Sequence, residues 1–249
     1  MSALSDLLAH QRRTEALAQV MGRLHWDQET MMPEGAAEQR GEEIAALEAV
    51  LHARRSDPWV GEMLEKAQAG TEAEAAQLRL IRRSHERATK VPGDLAAEIA
   101  RVTSVAQGVW ARARKADDFE AFRPTLEKVV RLKRVEAEAL ADDGDLYDAL
   151  VDDFEPGMKA AELAALFDRM RPRLVRLRAR IVETGRMPPA VAGRFPQALQ
   201  LALSREVAEA FGYDFGRGRI DLAVHPFSSG SGADVRITTR VDETEPLGC

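Results

Sequence analysis

With 249 residues the chain is long enough to bury a substantial core, and its 45% hydrophobic and 31% charged residues exclude the disordered class in favour of a soluble globular one. The formal charge is -6 with both signs interspersed, so no basic stripe is on offer to a phosphate backbone and nucleic acid is excluded as an expected partner. No apolar run approaches the roughly 20 residues that span a bilayer, and the N-terminal MSALSDLLAHQRRTEALAQV lacks an apolar signal core, which excludes a membrane partner and points to the cytoplasm.

Apart from its end, the chain reads as amphipathic helix. Leu4, Leu7, Leu8, Leu17, Val20, Met21 and Leu24 sit at helical spacings from Ser2 to Met32, and Pro33 closes the run. Its tail is HWDQETMMP, where Trp26 beside Asp27 and Glu29 reads as a core residue in preference to a carbohydrate or cation platform. Glu34 to Arg55 forms the next helix, with Ile44, Leu47, Val50 and Leu51 on one face; Asp57-Pro58 is a favoured start for another. Thr71 with Glu74 spells a capping box that opens a helix running towards Pro92.

Pro92-Gly93 resets the chain, and a long apolar stripe then reaches the break at Asp117-Asp118. The following helix is expected to carry Pro124 in its first turn and to turn Leu126, Val129, Val130, Ala137 and Leu140 inward. The acidic run from Asp142 to Glu155 does not keep the register of a calcium loop, so it reads as a solvated joint. Lys159 to Thr184 carries the stripe Leu163, Leu166, Phe167, Met170, Leu174, Leu177 and Ile181, with a kink expected at Pro172 and a solvated arginine face opposite. A Pro-rich loop from Met187 to Phe195 leads to the last helix, Gln197 to Phe211, closed by Gly212.

From Arg219 to Arg240, RIDLAVHPFSSGSGADVRITTR, the period changes from 3.6 to 2, and two alternating runs flank a Ser/Gly turn: a β-hairpin. The expected architecture is therefore all-α, a predominantly helical array in a single domain over residues 1–249, with a small β-hairpin at 219–240 near the C-terminus. His225, before Pro226, is held extended and projects from a strand end, as a structural histidine or a functional one. Asp234, Arg236 and Thr238 alternate and so share one side of a strand, either the solvent side or one wall of a polar cleft.

Several chemistries are missing. The five histidines include no pair four apart on a helix, so no HExxH zinc helix is encoded, and no nucleophile elbow, phosphate loop or dinucleotide fingerprint occurs. The one cysteine, Cys249, excludes an intrachain disulfide and a cysteine zinc cluster, and reads as a solvated terminal thiol.

HPFSSGSGADVRITTR resembles the paired HPF and DxRxT motifs of the carboxypeptidase Taq family of zinc metallocarboxypeptidases. HWDQETMMPEGAAEQRGEEIAAL, YDALVDDFEPGM and GYDFGRGRIDLAVHPF resemble the same family in the same order, so the likeness runs from about Met21 to Arg240. It implies a mostly helical, commonly dimeric enzyme whose long cleft binds peptides and from which single C-terminal residues are released. By motif, His225, Pro226 and Phe227 lie beside that cleft and Asp234, Arg236 and Thr238 line it, as substrate-binding residues. Arg236 is suited to a carboxylate, or holds Asp234 in place. In the family the HExxH helix follows DxRxT, with a further Glu ligand beyond it, whereas this chain ends in ETEPLGC. The resemblance thus implies a truncated, N-terminal half with no catalytic and no metal-binding residues of its own. Zinc is expected as a cofactor only of the full-length enzyme, and the chain is expected to be inactive alone. The alternative is a non-catalytic helical binding or regulatory module, dimeric through the face the other half would cover.

Overall fold

A computed structural model describes residues 2–186 and 191–246; Cys249 and residues 187–190 of the Pro-rich loop lie outside the described residues. The chain divides into two units, Met1–Lys133 with Phe195–Cys249, and Arg134–Arg194.

The first unit begins where its caps are written. Ser2 accepts the Ser5 N–H at 3.2 Å and opens α1 (Ala3–Thr30). A 3-10 turn at Glu34–Ala36 leads into α2 (Ala37–Arg55). Asp57 accepts the Trp59 N–H at 2.9 Å, with Pro58 as the first residue of α3 (Pro58–Lys66). Thr71 and Glu74 form the expected reciprocal capping box at the head of α4 (Glu72–Lys90). The helix α5 (Gly93–Ala116) ends at Asp117, which takes the left-handed conformation at φ 54°. There α6 (Phe119–Leu140) begins earlier than Pro124 suggested: the Asp118 carboxylate accepts the Ala121 N–H at 3.1 Å, so Pro124 lies inside the helix, not in its first turn.

Two buried clusters hold these helices. Leu7 of α1 packs with Val60 and Leu64 of α3 and Ile81 of α4. Met21 of α1 packs with Ile44 and Leu51 of α2. Each such side chain removed from water contributes about 1.5–3 kcal/mol. Gly41 lets α2 approach α5, because a Cβ there would stand 3.0 Å from the Val105 Cγ2 atom. The stripes were not buried along their whole length: Val20, Val50 and Val130 are exposed.

The second unit includes the acidic joint, which contains a further short helix, α7 (Leu146–Val151). The acids there are spent on the backbone. Asp145 accepts the Tyr147 and Asp148 N–H groups, Asp148 accepts the Ala160 N–H at 2.7 Å, and Asp152 accepts the Gly157 N–H at 2.8 Å. The helix α8 (Ala160–Glu183) continues through Pro172 and has no buried residue; Leu166, Phe167, Met170, Leu174, Leu177 and Ile181 of its stripe are all exposed.

Back in the first unit, α9 (Gln197–Ala210) precedes a three-stranded sheet of β1 (Gly218–Leu222), β2 (Ser228–Ser231) and β3 (Asp234–Thr239), in the order β1-β3-β2. The all-α class with a small hairpin is the architecture observed, and the hairpin is β2 with β3. Its composition differs from the sequence reading in one respect. The SSGS segment is itself a strand, the turn is Gly232-Ala233, and the run beginning at Arg219 pairs with β3 in parallel on the other side. The glycines make this possible: Gly230 has φ 86° and a Cβ on it would stand 1.9 Å from the Asp234 carbonyl, while Gly232 has φ 63° in the tight turn. Because β1 and β2 flank β3, residues 223–227 must cross the end of β3, and this crossing carries His225, Pro226 and Phe227.

Candidate functional site

The alternating polar residues of β3 face α1. The Arg236 guanidinium donates twice to Asp234, at 2.8 and 3.0 Å, and lies 4.1 Å from the centre of the Trp26 ring. Asp234 also accepts from Arg23 of α1 at 2.9 Å. Two guanidinium donors hold the Asp234 carboxyl well below the usual carboxylate range, Arg236 first and Arg23 second. On β1, Arg219 is paired with Asp221 through two bonds of 2.7 Å and stands 4.8 Å from the Trp26 ring. Trp26 is thus a core residue, 6% exposed, with two paired arginines over its ring.

Thr238 secures the crossing loop instead. It is 4% exposed, and its hydroxyl and backbone N–H both bond to Phe227. That attachment sets Phe227 and His225 against a cavity of about 630 Å³ whose other walls come from α1, α5 and α6. From α1 come His25, Gln28 and Glu29; from α5, Ser104, Gln107 and Trp110; from α6, Phe122, Leu126 and Val129. Gln28 and Ser104 bind reciprocally, the Gln28 amide donating to the Ser104 carbonyl at 2.9 Å and the Ser104 hydroxyl to the Gln28 amide oxygen at 2.6 Å. Gln107 donates to Glu29, completing the polar seam between α1 and α5. Burial raises the Glu29 pKa, against the opposing effect of the Gln107 bond. The atoms packed about His25, and then the charge of Arg40, lower its pKa, so the ring is neutral at neutral pH.

Of the six residues expected at a site, the structure places His225 and Phe227 on this cavity; Pro226 lies between them in the chain but is not on the wall. Asp234 and Arg236 serve the attachment of the sheet to α1, and Thr238 the attachment of the loop. Sequence reasoning gave His25 and Gln28 no role and weighed Glu29 only as part of a platform around Trp26 that it set aside, although the i, i+3, i+4 spacing of the three next to a buried tryptophan puts them on one face of α1. A second cavity, of about 610 Å³, lies between α9 and the sheet, lined by Val207, Phe211, Tyr213, Ile220 and Ile237 among others.

A model of the carboxypeptidase Taq (M32) metallopeptidase family matches residues 6–249. The chain belongs to this family. It is 38% identical over 260 residues to thermostable carboxypeptidase 1 of Thermus thermophilus, covering 97% of this chain and 51% of that one. Among solved structures, the crystal structure of BsuCP superposes with a TM-score of 0.91 at 27% identity, over 97% of this chain and 50% of that one. The M32 carboxypeptidase from Deinococcus radiodurans superposes with a TM-score of 0.79 at 33% identity, over 98% and 50%. The chain therefore spans about half the length of the family members it matches.

The family's zinc does not fit the residues described here. His25, Glu29 and His225 border one cavity, yet among the described residues no group of three His, Cys, Asp or Glu side chains stands close enough to share an ion, and Glu29 is bound to Gln107. No described helix is long and apolar enough to cross a membrane. The cavity offers instead apolar surface, the neutral imidazole of His25 and a hydrogen-bonding seam, which is the chemistry of binding.

Proposed function

We propose that this chain is the N-terminal half of a zinc-dependent metallocarboxypeptidase, supplying one wall of a peptide-binding groove and inactive by itself. The observation that carries the reading is the pinned loop: in a chain matching half of each relative, the HPF segment is tied to β3 by Thr238 and its His and Phe border a cavity. Water activation by a metal needs a ligand set that these residues do not provide, so catalysis requires donors from elsewhere in the fold. The working compartment in this reading is the cytoplasm.

The test is zinc content and release of C-terminal residues from model peptides, first by this chain alone and then with a separately produced C-terminal half of the Thermus thermophilus relative. The expected result is no stoichiometric zinc and no turnover alone, with turnover restored by the added half. Chelator-sensitive turnover by the unaided chain overturns the proposal.

A second reading, a dimeric non-catalytic binding module, is favoured by the exposed apolar residues of α8, by Leu199 and Leu203 on α9 and by Phe211 just after it, the last 88% exposed. Sedimentation of the purified chain separates the two: a concentration-independent monomer that is active on complementation leaves only the first.

A further inference from the structure

We propose that the cavity walled by α1, α5 and α6 receives a bulky apolar side chain from within a peptide, flanked by amide groups on both sides, and rejects the residue that bears the free terminal carboxylate. The word peptide rests on the reading above; the chemical selectivity rests on the cavity itself.

Its volume of about 630 Å³ lies within the range of specific small-molecule sites. Trp110, Phe122, Leu126 and Val129 line it with apolar surface, the chemistry that takes up a phenylalanine or leucine side chain. His25 and His225 line the same cavity, and neither ring is committed to a hydrogen bond among the described residues. A neutral imidazole such as that of His25 both donates and accepts, and the His225 ring brings a further N–H donor, so the pair can match the C=O and N–H of a flanking amide.

Charge decides which part of a peptide fits. Among the described residues no Lys or Arg borders the cavity, and the acidic side chain that does is the carboxylate of Glu29. A second carboxylate entering there would lose its water, gain no cation and meet a like charge. An amide-flanked residue meets none of these costs. The side chain held here is therefore upstream of the peptide's last residue.

The experiment is calorimetric titration of this chain at pH 7 with four probes: N-acetyl-phenylalanine amide, N-acetyl-leucine amide, N-acetyl-alanine amide and N-acetyl-phenylalanine with its free carboxylate. The phenylalanine and leucine amides are expected to bind saturably, about tenfold or more tighter than the alanine amide and the free acid, since a few methylenes in an apolar pocket discriminate by that order. Trp110→Ala is expected to abolish this preference. Thr103→Trp, at an exposed position on the rim, is expected to block the cavity while leaving the unfolding midpoint unchanged. No saturation with the phenylalanine amide, equal affinity for the free acid or the alanine amide, or undiminished binding by a folded Thr103→Trp variant overturns the proposal. The probes need neither zinc nor a second polypeptide. Selective binding without complementation leaves the site standing and removes the peptidase reading, and complementation without selective binding does the reverse.

Discussion

The Thr238 hydroxyl grips Phe227 at both ends, accepting its N–H at 2.7 Å and donating to its carbonyl at 2.9 Å. The two residues are joined again by the Thr238 N–H, which donates to the same carbonyl at 2.9 Å. One buried side chain therefore fixes the loop that crosses the end of β3. Thr238→Val keeps the shape but strands the Phe227 N–H, at a cost of about 1–3 kcal/mol. Urea unfolding should show this loss, with Thr238→Ser close to the parent; a valine variant as stable as the parent would mean that the loop is held by something else.

Asp234 links Arg23 and Arg236, and its folded-state pKa lies below the ordinary 3.8. For a carboxylate depressed in the folded state, the stabilisation is complete above the unfolded value and is lost as pH falls from there through the folded one. The expected outcome is a loss of stability that sets in below about pH 3.8 and is smaller in Asp234→Asn. Unfolding midpoints of both proteins from pH 6 to pH 2 measure it, and parallel acid limbs would count against the assignment.

Glu29 has the opposite sign. Burial raises its pKa above 4.5, so the folded state binds the proton more tightly, and stability falls as pH rises through that window. Glu29→Gln can still accept from Gln107 and carries no buried charge. It should be more stable than the parent at pH 7, with the difference vanishing near pH 4. A variant less stable than the parent at pH 7 would show that the charge itself is needed.

Trp26 has a buried indole N–H with no acceptor among the described residues, beneath the guanidiniums of Arg236 and Arg219. Trp26→Ala opens a cavity and leaves both cations without a ring, costing about 3–5 kcal/mol. Trp26→Phe retains an aromatic face and removes the unpaired donor, so it should cost much less. Thermal midpoints of the two variants provide the comparison; similar losses would mean that volume alone matters.

The helices were legible because their signals are local. Asp57 and the Thr71–Glu74 pair each bond to N–H groups within three residues, and such contacts are complete in the sequence before any packing occurs. The change to alternating residues after Arg219 likewise marked the β element. Local signals mislead where a neighbour is decisive. Ser228–Ser231 looked like a turn and became a strand because β3 supplied its hydrogen-bonding partners. The stripe of α8 has the period of a buried face and is exposed, since periodicity shows that a face is apolar but not that another element covers it.

The site divides in the same way. Sequence by itself determined the helical class, the caps and the place of HPF and DxRxT in the chain, all of which depend on residues close together along the backbone. Only the tertiary structure decided that Asp234 and Arg236 fasten the sheet to Trp26 and Arg23, while His225 and Phe227 meet His25, Gln28 and Glu29 across a cavity. The physical reason is that identical alternating polar residues on a strand can face water, a ligand or a helix. Which of these they face is settled by the packing of an element far away in sequence.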